Sequence, residues 1–372
     1  MRAIFRFVTI LSFATAIGCG GTSLLGPPGL LARGPRAAAR CHAVFYRPVG
    51  AAAPRPIPLH GPGLVLGGGG LDVNAEFAWI HDTIAGSRSR RAGDLVVLRA
   101  TGDNDYDRYI YGLARYHSVR TLKLPACSPA AALRKAAAIV AKSSAVFFAG
   151  GDQADYVVWK NTPLQPAVQG VYDAGGVIGG TSAGEAILGE FVFDARHDVY
   201  GDATSRNAVR NPYERLISFT YGFFGFPPLH DAITDMHFVT RNRFGRLALF
   251  MARQIAGGKT ARARVLGIGV DEASAIVIDK HGIGTLLLQG FTGSAFLIRG
   301  GAARRLEPSA PFVSGSLTVT KLQRKGDRFN FTTWCGSEPT YVVKVDGRRV
   351  PNGIYTPSDP YVPPPNARIP KC

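Results

Sequence analysis

Gly175-Gly176-Val177-Ile178-Gly179-Gly180-Thr181-Ser182-Ala183-Gly184 is a short apolar run that ends in a glycine-flanked serine and continues into small residues. This is G-x-S-x-G at the junction of a buried strand and a helix, the arrangement that holds a serine hydroxyl clear of the backbone. The turn is tight enough that Cβ atoms beside the serine would crowd neighbouring backbone, which is why its neighbours are small. A serine presented this way points to a hydrolase. A plain Gly/Ser-rich loop uses the same residues, and the chain has 45 glycines, so the motif decides nothing until its surroundings agree.

Upstream of the serine, short apolar strands alternate with helices. Residues 63–69 read as a strand running into a glycine turn, 75–84 as a helix, 94–100 and 119–124 as strands, 130–141 as an alanine-rich helix, and 145–149 and 176–179 as strands. That alternation predicts an α/β fold with a mostly parallel sheet flanked by helices, its site at the carboxyl ends of the strands. Beyond Asp279 the pattern changes. Apolar runs at 285–288, 295–298, 316–319, 329–332 and 341–345, separated by glycine-containing turns, read as a β-rich C-terminal tail. The expected organisation is a signal peptide over 1–18, a flexible Pro/Ala/Gly-rich lead-in over 19–62, a catalytic α/β domain over 63–282 and a β-rich extension over 283–372.

The first residues have the form of an export signal: Arg2 and Arg6, an apolar run over 7–14, and Ala16-Ile17-Gly18 as a small-residue cleavage site. The mature chain is therefore expected to be secreted, or to reside in the periplasm or cell envelope. Cys19 stands where a lipoprotein cysteine would, so plain secretion and membrane attachment through a lipidated Cys19 both fit. Without Cys19, four cysteines remain, Cys41, Cys127, Cys335 and Cys372, enough for two disulfides in an oxidising compartment. Three pairings are open. The formal charge of +17 invites a nucleic-acid reading. However, the arginines are scattered and no aromatic–basic module or DNA-binding motif accompanies them, so no nucleic-acid partner is expected.

Three further stretches accompany the serine. Ala149-Gly150-Gly151-Asp152-Gln153 closes an apolar run; Asp235-Met236-His237-Phe238 is followed by Arg241, Arg243 and Arg246; and Gly267-Ile268-Gly269-Val270-Asp271-Glu272 leads into another apolar run. In this order, GGDQ, GTSAG, D-x-HF-x-x-R-x-R-x-GRL and GIG-x-DE resemble the cyanophycinase branch of the peptidase E/cyanophycinase family of serine peptidases. The resemblance runs over about residues 62–279. It implies a fold similar to that of class I glutamine amidotransferases and a homodimer. It also implies cleavage of cyanophycin, a poly-aspartate whose side chains carry arginine, to β-Asp-Arg dipeptides.

The chemistry assigns roles. Ser182 needs a base, and a neutral imidazole suits neutral pH. Three other histidines follow the elbow, but only His237 lies in the D-x-HF motif, so it is taken as the base. The resemblance implies an acid between serine and histidine. That window holds Asp198 and Asp202, with Asp194 just before it, and Asp198 is chosen; an acid from elsewhere stays open. Backbone N–H groups of Gly151 and Ala183 are expected to form the oxyanion hole. Arg241, Arg243 and Arg246 would grip substrate carboxylates, with one of the three serving structure or solvent. Asp152, Gln153, Asp235 and Glu272 would meet a guanidinium. Met236 stands where cyanobacterial members have glutamine, which removes an amide beside the histidine. An aspartyl dipeptidase and a non-catalytic binding protein remain alternatives. No metal or cofactor is called for, since the sequence shows no cluster with ligand spacing.

Overall fold

The computed structural model describes residues 41–369, so the expected export signal, Cys19 and Cys372 lie outside the described residues. The described residues build two large sheets and a separate two-stranded one. In the first, the strands Ser118–Lys123, Asp94–Arg99, Ala145–Phe148, Val177–Thr181 and Gly63–Gly67 lie side by side in parallel. Nearly every residue of these strands is buried, as expected for a sheet covered on both faces. The helices Asn74–Ala85, Ala130–Val140 and Leu164–Asp173 connect them. Ser274–Ile278 then joins antiparallel to Gly63–Gly67, and Ile283–Leu288 antiparallel to it.

The second sheet has eight strands, which the sequence reading treated as parts of a helix-flanked sheet and a separate tail. Its centre is the parallel pair Ala232–Met236 and Leu266–Val270, with Phe191–Phe193 beside the former and Ala295–Gly300 antiparallel to the latter. Leu317–Leu322 and Thr340–Val345 continue it. The amphipathic helix Phe244–Ala256 packs on this sheet through Phe244, Leu247, Phe250 and Met251, all buried in one apolar cluster with Phe296, Ile298 and Val319. Strands past residue 283 thus belong to both sheets, and the described residues cluster as one compact unit.

The expectation of a flexible lead-in is corrected over 41–62. Val44–Phe45 and Val49–Gly50 pair with Ser118–Lys123, and a disulfide joins Cys41 to Cys127. Proline and alanine content signals loop, yet short edge pairing and a covalent tie hold this loop on the sheet. The bond selects one of the three pairings left open. Cys335 is also disulfide-bonded.

Candidate active site

Three strand ends meet between the sheets, and each turns through a left-handed backbone position. Val177–Thr181 runs into Ser182 at φ 53°, Ala232–Met236 into His237 at φ 48°, and the turn between Leu266–Val270 and Ser274–Ile278 passes Glu272 and then Ala273 at φ 56°. Non-glycine residues adopt such angles at a cost of about 1–3 kcal/mol each, and they gather where surrounding structure over-determines them. Here the glycines do so. A Cβ on Gly180 would stand 2.3 Å from the Gly184 carbonyl oxygen, and one on Gly184 would stand 2.1 Å from that of Phe148. The elbow closes only because both lack one.

The loop Gly67-Gly68-Gly69-Gly70 stitches the three ends together. The Ser182 N–H donates to the Gly67 carbonyl at 2.9 Å, the His237 N–H to Gly68 at 2.8 Å, and the Ala273 N–H to Gly69 at 3.0 Å. A Cβ on Gly69 would lie 2.5 Å from His237 Cε1 and 3.1 Å from Ser182 Cβ. By sequence alone this stretch is only a turn after a strand. Its signal was present, four consecutive glycines after a strand, but nothing local says what they must avoid.

The side chains complete a relay. Ser182 Oγ lies 2.7 Å from His237 Nε2, and His237 Nδ1 lies 2.6 Å from Glu272 Oε1. A carboxylate accepts at Nδ1, so that nitrogen carries the proton and Nε2 is the lone pair facing the serine. Burial lowers the His237 pKa below its ordinary value; Glu272 opposes this, while Arg241 and Arg243 reinforce it. The imidazole is thereby kept neutral at neutral pH, the state a general base needs.

Glu272, which the sequence reading gave to substrate, is thus the carboxylate on the histidine, and Asp198 is not. Asp198 Oδ1 accepts the backbone N–H groups of Asp202 at 2.6 Å and Ala203 at 3.2 Å, which ties up its own loop. Asp194 is buried, accepting from Ser218 and, at 2.9 Å, from Thr220. The expected order of serine, acid, histidine fails because the acid arrives from the later strand Leu266–Val270, paired directly with the histidine's own strand. Sequence distance hid a one-strand neighbour.

The arginine segment divides in the same way. Asp235 is 1 % exposed and is held by Arg246 through Nε at 2.7 Å and Nη2 at 2.5 Å, with Arg243 Nη1 at 3.3 Å. Arg246 is itself 4 % exposed, donates to the Ala203 carbonyl and lies over the Phe193 ring. The expectation that Asp235 and Arg246 face substrate is therefore corrected: the pair is internal. Arg243 donates to the Met236 carbonyl at 2.9 Å, and burial first, then Arg246, bring its pKa down to about 10. Arg241 alone is exposed, and its charge reaches His237.

The remaining expected residues line the serine's other side. Gly150 and Gly151 follow Ala145–Phe148, and a Cβ on Gly150 would lie 3.5 Å from Ser182 Cβ. Ala183 opens the short helix Ala183–Ala186, whose first N–H groups have no intrahelical acceptor. Asp152 caps the helix Gln153–Val157 by accepting from Ala154 at 2.9 Å, and Gln153 Nε2 reaches the Phe193 carbonyl at 3.4 Å. The C-terminal segment also serves the site. Tyr361 and Tyr355 hydroxyls lie 3.0 and 2.9 Å from Asn242 Oδ1 and accept from the N–H groups of Phe244 and Gly245, clamping the loop after His237.

Away from this centre, Glu190, His230 and Asp231 bring ligand-type atoms within 4.8 Å of one another, a grouping the sequence spacing did not reveal. Glu190 and His230 also line a cleft of about 900 Å³ with Phe223, Phe224 and Phe226, which shares no residue with the serine, histidine and glutamate. Asp231 there already meets His230 at 2.9 Å and Arg264 at 3.5 Å.

The chain is 32% identical over 141 residues to a cyanophycinase of Trichormus variabilis, covering 37% of this chain and 40% of that protein. A cyanophycinase of Synechococcus elongatus is 28% identical over 153 residues, 41% of each chain. The chain is thus similar to cyanophycinases over part of its length. It spans about two fifths of the length of these curated relatives. No family model matches it. Among solved structures, a peptidase from an acI-B1 Actinobacterium is similar with a TM-score of 0.42 at 18% identity, over 73% of this chain and 97% of that one.

Proposed function

We propose that this chain is a serine-type exopeptidase of the peptidase E/cyanophycinase family that hydrolyses cyanophycin to β-Asp-Arg dipeptides through an acyl-enzyme. The observation that carries the reading is the relay from Ser182 Oγ through the His237 ring to Glu272, with hydrogen-bond distances of 2.7 and 2.6 Å. His237 takes the Ser182 proton as Oγ attacks the aspartyl carbonyl. The oxyanion forms between the Ala183 and Gly151 N–H groups, and the protonated imidazole passes its proton to the leaving amine. Water then repeats the sequence against the ester. Glu272 stabilises the imidazolium formed in each half. The named activity of the two relatives supports the choice of substrate.

The reading includes an exported, homodimeric chain. The Cys41–Cys127 disulfide supports an oxidising compartment, in keeping with the signal-like first 18 residues. A lipid anchor at Cys19 is the variant of this reading that keeps the enzyme on a membrane.

The test is release of β-Asp-Arg from insoluble cyanophycin by the mature chain and by Ser182→Ala. Release by the former that falls about 10⁴–10⁶-fold in the latter is expected. Equal release by both would remove Ser182 from the mechanism; no release by either would send the site to aspartyl dipeptides, where exposed Arg241 would grip a terminal carboxylate.

A further inference from the structure

The assignments above leave the substrate's cationic group without a partner. Asp235 is held by Arg246, Asp152 caps a helix, Glu272 holds the histidine, and Asp271 accepts from the N–H groups of Val239 and Thr240 at 3.0 Å each. One carboxylate near the nucleophile has no cation of its own. Asp72 follows the glycine loop by two residues, where a Cβ on Gly70 would touch the Glu272 side chain at 3.0 Å. Its Oδ2 accepts from the Tyr106 hydroxyl at 2.6 Å, and it also bonds the side chain of Thr181, the residue before Ser182. Two hydroxyl donors orient the group without neutralising it.

Beneath it lies Glu76, 1 % exposed, with neither carboxylate oxygen hydrogen-bonded. Its nearest charged influence is Asp72, and both carboxyls act on the Tyr106 and Tyr109 hydroxyls. Two carboxyl groups therefore face one another's field with no positive charge between them. The nearby Arg99 does not supply one, because its guanidinium donates to the carbonyls of Thr101 and Asp103. Buried carboxyls without a partner are costly, and a planar guanidinium that could bond both would relieve that cost.

We propose that Asp72, underlain by Glu76, binds the guanidinium of the substrate beside Ser182. The proposal rests on the peptidase reading above and names the residues that select an arginine-bearing substrate. Burial raises the pKa of Asp72, and burial with the nearby Asp72 raises that of Glu76, so a cation held at Asp72 would favour the ionised form of both.

The experiment measures binding of agmatine, a guanidinium without a peptide bond, to the full mature chain carrying Ser182→Ala. Its urea analogue, in which a neutral ureido group replaces the guanidinium and the primary ammonium is kept, is the control. Agmatine is expected to bind at least tenfold more tightly than the analogue. Asp72→Asn, which keeps an acceptor for Tyr106, should weaken agmatine about 10–100-fold and leave the analogue unchanged. Glu76→Gln should weaken it by a smaller factor. Melting temperatures of both variants confirm that they fold. Equal affinities for agmatine and its analogue, no binding of agmatine at millimolar concentration, or an unchanged affinity in Asp72→Asn would overturn the subsite. Because no hydrolysis is read, an enzyme inert on cyanophycin that still binds agmatine through Asp72 sinks the substrate reading alone; cleavage of cyanophycin without that dependence sinks the subsite alone.

Discussion

The serine side and the histidine side of the site use opposite kinds of order. On the serine side the chemistry is set by local backbone: a strand end, one left-handed residue and glycines whose missing Cβ atoms let the turn close. On the histidine side it is set by partners far apart in sequence. Asp235, His237, Arg243 and Arg246 lie within 12 residues of one another, yet His237 is oriented by Glu272 and Arg246 is buried against Asp235. The same residue types thus act at the surface or inside according to what the neighbouring strand delivers. Local order survives translation into sequence motifs; partner order does not.

The comparison breaks most visibly at the acid. Glu272→Gln should lower kcat about 10³–10⁴-fold, since it leaves a neutral partner on Nδ1 and withdraws support from the imidazolium. Asp198→Asn should change kcat less than about twofold, because it only loosens a backbone cap on its own loop. The acid limb of kcat/KM in the unaltered chain should fall below the ordinary histidine value near 6.5, with activity lost as pH drops through it and His237 gains a proton. An acid limb well above that value, or a large loss in Asp198→Asn, would return the acid to the serine–histidine interval.

The arginines give the next largest effect, and they separate stability from binding. Arg246→Gln leaves Asp235 buried with Arg243 alone at 3.3 Å, so a loss of about 3–5 kcal/mol in unfolding free energy is expected by denaturant titration. Arg241→Gln removes an exposed charge and should leave stability within about 0.5 kcal/mol. Its KM for a carboxylate-bearing substrate should rise about tenfold. If Arg246→Gln proves as stable as the parent and only raises KM, the internal reading of Arg246 is wrong.

How much of this was legible follows the same division. The parallel strands and their helices were readable because each covered strand is a short apolar run bounded by glycine or proline, and the elbow because its glycines are part of the motif. Of the second sheet only the later strands were, as apolar runs at 295–298, 316–319 and 341–345; Ala232–Met236 carries Thr234 and Asp235 in its middle and gives no apolar run, its polar groups being satisfied by Glu185, Arg243 and Arg246. Glu272 was visible as a residue and invisible as the acid, because strand adjacency is not written in sequence order. Gly67–Gly70 and Asp72 were likewise in view, but what a glycine must avoid or a carboxylate lacks becomes apparent only with the neighbours in place. The lead-in misled because composition reports backbone freedom and cannot report a disulfide to Cys127.

The smallest expected effect lies where the two sides touch. Glu185 opens no cleft: it sits in the elbow helix, fully buried, with both oxygens unbonded, near Asp235 and Arg243. Burial, then the like charge of Asp235, raises its pKa well above the ordinary glutamate value, against the pull of Arg243. The folded chain therefore holds a proton that the unfolded chain releases above about pH 4.3. Below that pH both states are protonated and Glu185→Gln should melt with the parent. As pH rises, ionisation favours the unfolded parent but has no counterpart in the variant, so Glu185→Gln should become the more stable chain, by about 2–4 °C at pH 8. A melting difference that stays flat from pH 4 to 8 would mean that Glu185 finds a partner on the histidine side, and the local order of the elbow would then depend on its distant neighbours after all.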